Sequence, residues 1–145
     1  MIDANATILV VEDDPDDRDL LARAFRKAGV TMALRFAVDG DEAVTCLEGA
    51  VGDLPEACPA VILLDLKLPR RSGFEVLEWI KSHPILRRVP VIILTSSRES
   101  VDLRRAYDLG ANSYLVKPAR SEDLLRMVEQ IHAYWLGLNQ AAGMS

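Results

Sequence analysis

The sequence is short of cysteine, of basic charge and of long apolar runs. Its two cysteines, Cys46 and Cys58, lack CxxC spacing and are fewer than a secreted disulfide scaffold carries. The net charge of −5 argues against a nucleic acid or an anionic membrane as the main partner, since both require a basic face. Apolar runs stay well below the roughly 18 residues of a membrane span, and residues 1–5 lack a signal-peptide pattern. We therefore expect a cytoplasmic protein.

The length and composition of the chain fit one globular domain. The chain has 145 residues, of which 50% are apolar and 27% charged, and a chain of this length forms a core without a metal or a disulfide. We expect a single domain over residues 1–145, with its core at about 6–137 and a small, polar tail at 138–145.

Apolar, β-branched runs alternate with helical patterns along the chain. The first, third and fourth runs are apolar throughout, which is typical of parallel strands buried on both faces. The second run is partly polar, as an outer strand would be. The predicted strands are 7–11, 34–37, 60–64, 90–94 and 113–116, and the predicted helices are 15–28, 41–47, 74–81, 100–109 and 121–136. This alternation predicts an α/β fold: a doubly wound, five-stranded parallel sheet with five helices. We expect a long loop at 48–59.

Polar side chains follow four of the five predicted strands. Glu12, Asp13 and Asp14 follow the first strand and Asp65 the third, while Thr95 and Lys117 end the fourth and fifth. Working groups in open α/β sheets collect at this edge. Helix-start chemistry around Pro15 explains Asp16 and Asp17, and for Asp14 that interpretation and a role in the site both stay open.

This set of side chains suits phosphoryl chemistry. Crowded carboxylates repel one another unless a cation neutralises them, and Mg²⁺ binds through one or two carboxylates plus a phosphate. A carboxylate at a strand tip, such as Asp65, can act as a nucleophile toward a phosphoryl group. Lys117, Mg²⁺ and the Thr95 hydroxyl could each contact one phosphoryl oxygen.

At these residues the sequence resembles the receiver domain of two-component response regulators. The resemblance runs from Ile8 to about Leu136 and rests on four segments, which are 8–14, 64–69 with Gly73, 94–96 and 114–118. It implies a flavodoxin-like receiver fold with strand order 2-1-3-4-5. It also implies a protein that catalyses only its own phosphorylation and dephosphorylation and is not otherwise an enzyme.

The resemblance assigns a role to each matching residue. Asp65 would accept a phosphoryl group from a sensor histidine kinase, and Lys117 would pair with a phosphoryl oxygen. Mg²⁺ would be bound by Asp65, by Asp13 directly, by Glu12 through water and by the backbone carbonyl of Lys67. Thr95 and Tyr114 would form the conformational switch. The peptide bond to Pro118 would be cis.

The chain also looks like the small stand-alone regulators that serve bacterial and cyanobacterial phytochromes. The features are Glu12-Asp13-Asp14-Pro15, the long loop, residues 68–73 and an aromatic last helix. This likeness implies a bacteriophytochrome kinase as partner. It also implies a homodimer through the last two helices and the last strand, with Tyr134, Trp135 and Leu138 at the interface. Trp135 could instead fold back onto the domain. The downstream protein target is not indicated.

Three other functions are compatible with an α/β fold of this kind but differ in the residues that they require. A phosphorelay shuttle, which passes its phosphoryl group to a histidine phosphotransfer protein, would use the same residues and stays open. A dehalogenase-like phosphatase requires an acid two positions after the nucleophile, where this chain has Lys67. A flavodoxin-like electron carrier requires a phosphate-binding loop after the first strand, where acids would repel the phosphate.

Overall fold

Strands and helices alternate through residues 6–53 and 58–140, the part of the chain that the computed structural model describes. The elements are β1 (Thr7–Val11), α1 (Pro15–Lys27), β2 (Ala33–Ala37), α2 (Gly40–Asp53), β3 (Val61–Leu64), α3 (Gly73–Ser82), β4 (Val91–Thr95), α4 (Ser100–Asp108), β5 (Ser113–Val116) and α5 (Ser121–Ala133). A short 3₁₀ turn covers Leu86–Arg88. The expectations for residues 1–5 and for 141–145 of the tail lie outside the described residues.

The strands form one parallel sheet in the order β2-β1-β3-β4-β5, which confirms the predicted fold. β1, β3 and β4 are buried almost throughout, whereas β2 at the edge alternates between exposed and covered residues. The register pairs Val11 with Leu64 and Thr95 with Val116. Glu12 and Asp65 therefore leave the sheet side by side, and Lys117 leaves it next to the end of β4.

Successive residues of the central strands pack into two separate core layers, one on each face of the sheet. One layer joins Leu9, Val11, Ile62, Leu64 and Ile93 to α2, α3 and α4. The other layer joins their strand neighbours, among them Ile8, Val10 and Leu63, to α1 and α5. This alternation follows from the two-residue period of a strand, and it places helices on both faces of the sheet.

Helix α2 is longer than the sequence predicted, so the expected loop at 48–59 is wrong for residues 48–53. The glycines at 49 and 52 suggested a loop, but a Cβ at either position would meet nothing within 4 Å. Leu47 and Ala50 continue the buried stripe of the helix. Packing against the core thus outweighs the cost of roughly 1 kcal/mol for each helical glycine. Residues 54–57 of the expected loop lie outside the described residues.

The last helix changes its winding near its end. The buried stripe of α5 is Leu124, Val128 and Ile131. A π-helical turn over Tyr134–Leu138 follows α5 and shifts this stripe by one residue, so that Leu136 is buried at 7% exposure. Trp135 is half-buried and packs against the α1–α5 layer, as the fold-back alternative expected. Tyr134 and Leu138 remain 51% and 73% exposed. None of the helices within the described ranges has the length and apolar character needed to cross a membrane.

Candidate functional site

Three carboxylates meet at the carboxyl ends of β1 and β3. Carboxylate oxygens of Glu12, Asp13 and Asp65 lie within 4.8 Å of one another. Glu12 and Asp65 are buried, with 2% and 6% exposure, whereas Asp13 is exposed. Backbone hydrogen bonds set these positions, since the Glu12 N–H donates to Ala37 and the Asp65 N–H donates to Val11. The sequence prediction of an acidic site at this edge therefore agrees with the geometry.

The ammonium of Lys117 lies inside this acidic group. Its Nζ pairs with Glu12 Oε1 and lies 2.9 Å from both Asp65 Oδ2 and Asp17 Oδ2. Burial alone would lower the pKa of Lys117, but hydrogen bonds to Glu12, Asp65 and Asp17 outweigh that effect and raise it. Lys117 is therefore a fixed positive charge beside the Asp65 carboxylate at neutral pH.

Glu12 is the most deeply buried acid of the group, with 2% exposure. Burial raises the pKa of Glu12 to about 7, and the nearby Asp65 charge adds to this effect. The Lys117 side chain and the Asp14 N–H oppose it by donating hydrogen bonds to the Glu12 carboxylate. A carboxyl group with this pKa is partly protonated near neutral pH, and a nearby cation would favour its ionised form.

The loop after β3 folds back tightly onto Asp65. The Lys67 N–H donates to Asp65 Oδ1 at 3.3 Å, which fixes the carboxylate in a local turn. The Gly73 N–H then donates to the Leu66 carbonyl at 3.0 Å as α3 begins. A Cβ at position 73 would lie 2.1 Å from the Asp65 carbonyl oxygen, so this approach requires glycine.

Thr95 and Tyr114 both contact the loop that follows β4. Thr95 is fully buried, and its Oγ1 lies 3.5 Å from the Ser97 nitrogen. The Tyr114 hydroxyl donates to the Ser97 carbonyl at 3.1 Å. Burial raises the pKa of Tyr114, so its hydroxyl is protonated and can donate this hydrogen bond at neutral pH.

The sequence patterns did not predict two residues of this site, Asp17 and Arg18. Asp17 was interpreted as helix-start chemistry, yet its carboxylate pairs with Lys117 from the first turn of α1. Arg18 donates from Nη1 to the carbonyls of Glu12 and Asp13, at 2.8 and 2.9 Å. Asp14 acts as the N-cap of α1, because its side chain accepts from the Asp16 and Asp17 N–H groups. The spacing of Asp17 and Arg18, one helical turn after the acidic run, is the signal that could have identified them.

The predicted cis peptide bond at Pro118 is wrong. All peptide bonds among residues 6–53 and 58–140 are trans, including the bond from Lys117 to Pro118. The Lys117 N–H donates to the Thr95 carbonyl at 2.8 Å, and its side chain reaches the acids with the bond in this form. The trans form is also intrinsically favoured, by about 0.5–1 kcal/mol for a bond to proline.

The donors at this site fit a small, hard divalent cation. Carboxylate oxygens are the ligands that Mg²⁺ and Mn²⁺ prefer, and an exposed Asp13 leaves room for metal-bound water. Lys117 compensates only part of the negative charge of Glu12, Asp13, Asp17 and Asp65. A divalent cation would therefore relieve the remaining repulsion.

Comparison with known proteins gives one consistent result. The sequence profile of the response regulator receiver domain matches residues 8–129. The probable methanogenesis regulatory protein FilR2 of Methanothrix harundinacea is 45% identical over 136 residues, which cover 94% of this chain and 87% of that protein. Response regulator Rcp1 of Synechocystis is 38% identical over 131 residues, covering 89% of this chain and 88% of Rcp1.

Solved structures of response regulators have the same fold as this chain. The phosphorylated cyanobacterial phytochrome response regulator RcpA superposes with a TM-score of 0.87 at 35% identity, covering 96% of this chain and 99% of RcpA. The Mn²⁺-bound form of Rcp1 gives a TM-score of 0.84 at 35% identity, covering 95% of this chain and 99% of that one. One of these relatives is thus phosphorylated and the other holds a divalent metal.

Proposed function

The chain belongs to the response regulator receiver domain family, and from this membership we propose that Asp65 accepts a phosphoryl group from a sensor histidine kinase, with Mg²⁺ as cofactor. The observation that carries the proposal is the position of Asp65. Its buried carboxylate lies 2.9 Å from the Lys117 ammonium and within 4.8 Å of the Glu12 and Asp13 carboxylates. The proposed nucleophile, a fixed cation and two proposed metal ligands thus lie close together, which supports this chemistry.

In the proposed transfer the P–N bond of the phosphohistidine breaks as the P–O bond to Asp65 forms. Mg²⁺, when bound, supplies positive charge to the phosphoryl oxygens and to the crowded acids. Asp13 would bind it directly, Glu12 through water, and Lys67 through its backbone carbonyl. Lys117 holds a second positive charge beside the reacting oxygen. The chain would catalyse only its own phosphorylation and dephosphorylation.

We assign the conformational response to Thr95 and Tyr114. The Thr95 hydroxyl would move onto a phosphoryl oxygen, and Tyr114 would then turn inward to fill the space that Thr95 leaves. Support comes from the loop after β4, where Ser97 contacts both side chains. Loss of the phosphorylation response in Thr95→Ala, with phosphoryl uptake retained, is the expected outcome for this pair.

A phytochrome-linked histidine kinase is the proposed phosphoryl donor. Rcp1 and RcpA support this assignment, because they share the fold and at least 35% of the sequence with this chain. FilR2 is 45% identical to this chain and is a probable regulator of methanogenesis, not a phytochrome response regulator. The test of the donor is therefore to compare phosphotransfer to this chain from a phytochrome kinase and from an unrelated histidine kinase. Kinases of this class use ATP, which places the proposed reaction in the cytoplasm.

We also propose a homodimer through α4, β5 and α5. The support is a groove of about 430 Å³ between β5 and α5, whose lining includes Leu115, Met127 and Ile131. The exposed Tyr134 and the half-buried Trp135 both line this groove, and the exposed Leu138 follows them in the same π-helical turn. Clustered aromatic and aliphatic side chains of this kind are typical of interfaces.

Phosphoryl uptake from a small donor tests the chemical part of the proposal. The protein would be incubated with acetyl phosphate, with Mg²⁺ or with EDTA, and its intact mass measured. We expect a gain of one phosphoryl group that requires Mg²⁺ and is absent in Asp65→Asn. A gain of equal size in Asp65→Asn would place the phosphoryl group on another residue. No gain in the wild-type protein would reduce the chain to a binding module.

A further inference from the structure

Ser97 lies in the loop between β4 and α4, and each of its polar groups contacts a different element. Its N–H points to Thr95 Oγ1 at 3.5 Å, at the long limit of a hydrogen bond. Its carbonyl accepts from the Tyr114 hydroxyl at 3.1 Å. Its own hydroxyl donates to Asp102 Oδ2 at 2.6 Å. One residue therefore joins both residues of the switch to α4.

Its bond to Asp102 is the strongest of the three. A distance of 2.6 Å to an ionised carboxylate is that of a charge-assisted hydrogen bond, about twice as strong as a neutral one. Asp102 lies in the first turn of α4, and both partners are half-buried, which limits competition from water. The Ser97 hydroxyl oxygen also accepts a hydrogen bond from the Glu99 N–H at 3.3 Å. The loop and the first turn of α4 are thus tied together at one side chain.

We propose that the Ser97–Asp102 hydrogen bond couples the phosphorylation site to α4, with Asp102 as the positioning residue. This inference rests on the proposed function. When Thr95 Oγ1 moves toward a phosphoryl oxygen, the Ser97 N–H loses its acceptor and the loop changes position. Because Asp102 holds the Ser97 hydroxyl, the first turn of α4 moves with it.

The surface of α4 that would receive this movement includes exposed apolar side chains. Val101, next to Asp102, is 63% exposed, and Tyr107 further along α4 is 48% exposed. Arg105 lies over the Phe74 ring at 4.1 Å, a contact that joins α4 to α3. A displacement at the first turn would therefore reorient exposed apolar side chains that a protein partner could recognise.

The test measures α4 directly. Backbone amide chemical shifts would be recorded by NMR with and without acetyl phosphate and Mg²⁺, for the wild-type protein and for Ser97→Ala and Asp102→Ala. Intact mass would report phosphoryl uptake in the same samples. We expect normal uptake in both variants, with the shift changes in α4 reduced roughly by half or more. The double variant should match either single variant, because both remove the same hydrogen bond.

Two further variants separate coupling from a structural effect. Asp102→Asn keeps an oxygen that accepts from the Ser97 hydroxyl, so it should restore the α4 response. Asp108→Ala removes an acid from the exposed end of α4, away from Ser97, and should leave the response unchanged. Normal uptake with a wild-type α4 response in both alanine variants would overturn the inference. Absence of uptake in the wild-type protein would instead overturn the proposed function.

Discussion

Gly73 packs so closely against Asp65 that a Cβ atom at position 73 would lie 2.1 Å from the Asp65 carbonyl oxygen and 2.5 Å from the Leu66 Cα. Both of these atoms belong to the backbone, which cannot rotate away as a flexible side chain would. The start of α3 and the candidate phosphoryl acceptor therefore share one tightly packed backbone segment, and a change at Gly73 must reach the site.

Gly73→Ala should consequently impair both stability and function. The added methyl group must push the loop after β3 away from α3, at a cost of about 1–3 kcal/mol in the free energy of unfolding. Urea denaturation would measure this loss, and intact mass would show slower phosphoryl uptake from acetyl phosphate.

Gly49→Ala is the matched control. A Cβ at position 49 would meet nothing within 4 Å, and the residue lies in the interior of α2. This variant should therefore be more stable than the wild-type protein, by roughly 0.5–1 kcal/mol. Equal destabilisation of the two variants would contradict the close packing at Gly73.

Lys117→Ala should slow phosphoryl uptake while leaving the acids in place to bind a metal. Lys117 supplies the fixed positive charge 2.9 Å from Asp65 Oδ2, and removal of such a group costs roughly 100-fold in rate. The rate would be followed by intact mass at saturating Mg²⁺. Lys27→Ala, which removes an exposed charge at the end of α1, serves as the control. Equal rates in the two variants would remove Lys117 from the mechanism.

Metal-free protein should lose stability as the pH rises through the acid range. Glu12 has a pKa of about 7 in the folded chain, against 4.5 for a free side chain. The folded state thus holds more protons between these values, and the free energy of unfolding falls as the pH rises from 4.5 to about 7.

Glu12→Gln removes this titration. At pH 8 the variant should be more stable than the wild-type protein by about 1–3 kcal/mol, because it no longer buries an ionised carboxylate. Urea denaturation in EDTA, at several pH values, would measure the difference. Glu129→Gln, at an exposed position of α5, should keep the pH dependence of the wild-type protein. A pH dependence that survives in Glu12→Gln would assign it to another group.

Leu138→Asp should weaken the proposed homodimer. Leu138 is 73% exposed in the π-helical turn that follows α5, so a charge there costs little in the monomer but would be buried in the proposed dimer. Sedimentation velocity at micromolar concentration should show a dissociation constant raised roughly tenfold or more. Leu20→Asp, at a 41% exposed position of α1, is the control. A wild-type monomer at all concentrations would exclude this interface.

Much of the fold was predictable because strands buried on both faces must be apolar throughout. β1, β3 and β4 appear in the sequence as such runs, and the polar residues that follow them mark one edge of the sheet. The sequence alone therefore predicts that one edge of the sheet carries Glu12, Asp13, Asp65, Thr95 and Lys117.

Other features depend on packing that local sequence does not encode. Asp17 follows the pattern of a helix start, and its bond to Lys117 depends on where α1 lies relative to β5. Glycines within α2 suggested a loop, but Leu47 and Ala50 bury enough apolar surface to extend the helix. The buried stripe of α5 continues at Leu136 and not at Trp135, because the π-helical turn bonds residue i to i+5 and breaks the 3.6-residue pattern that a prediction from sequence assumes.

Chemical identification of the phosphorylated residue would show whether Asp65 is the phosphoryl acceptor. After incubation with acetyl phosphate and Mg²⁺, borohydride reduces an acyl phosphate to an alcohol, and peptide mass spectrometry locates the product. We expect homoserine in place of aspartate at position 65, dependent on Mg²⁺, with Glu12, Asp13 and Asp17 unmodified. Reduction at another acid, or none in a protein that has gained a phosphoryl group, would contradict Asp65 as the acceptor.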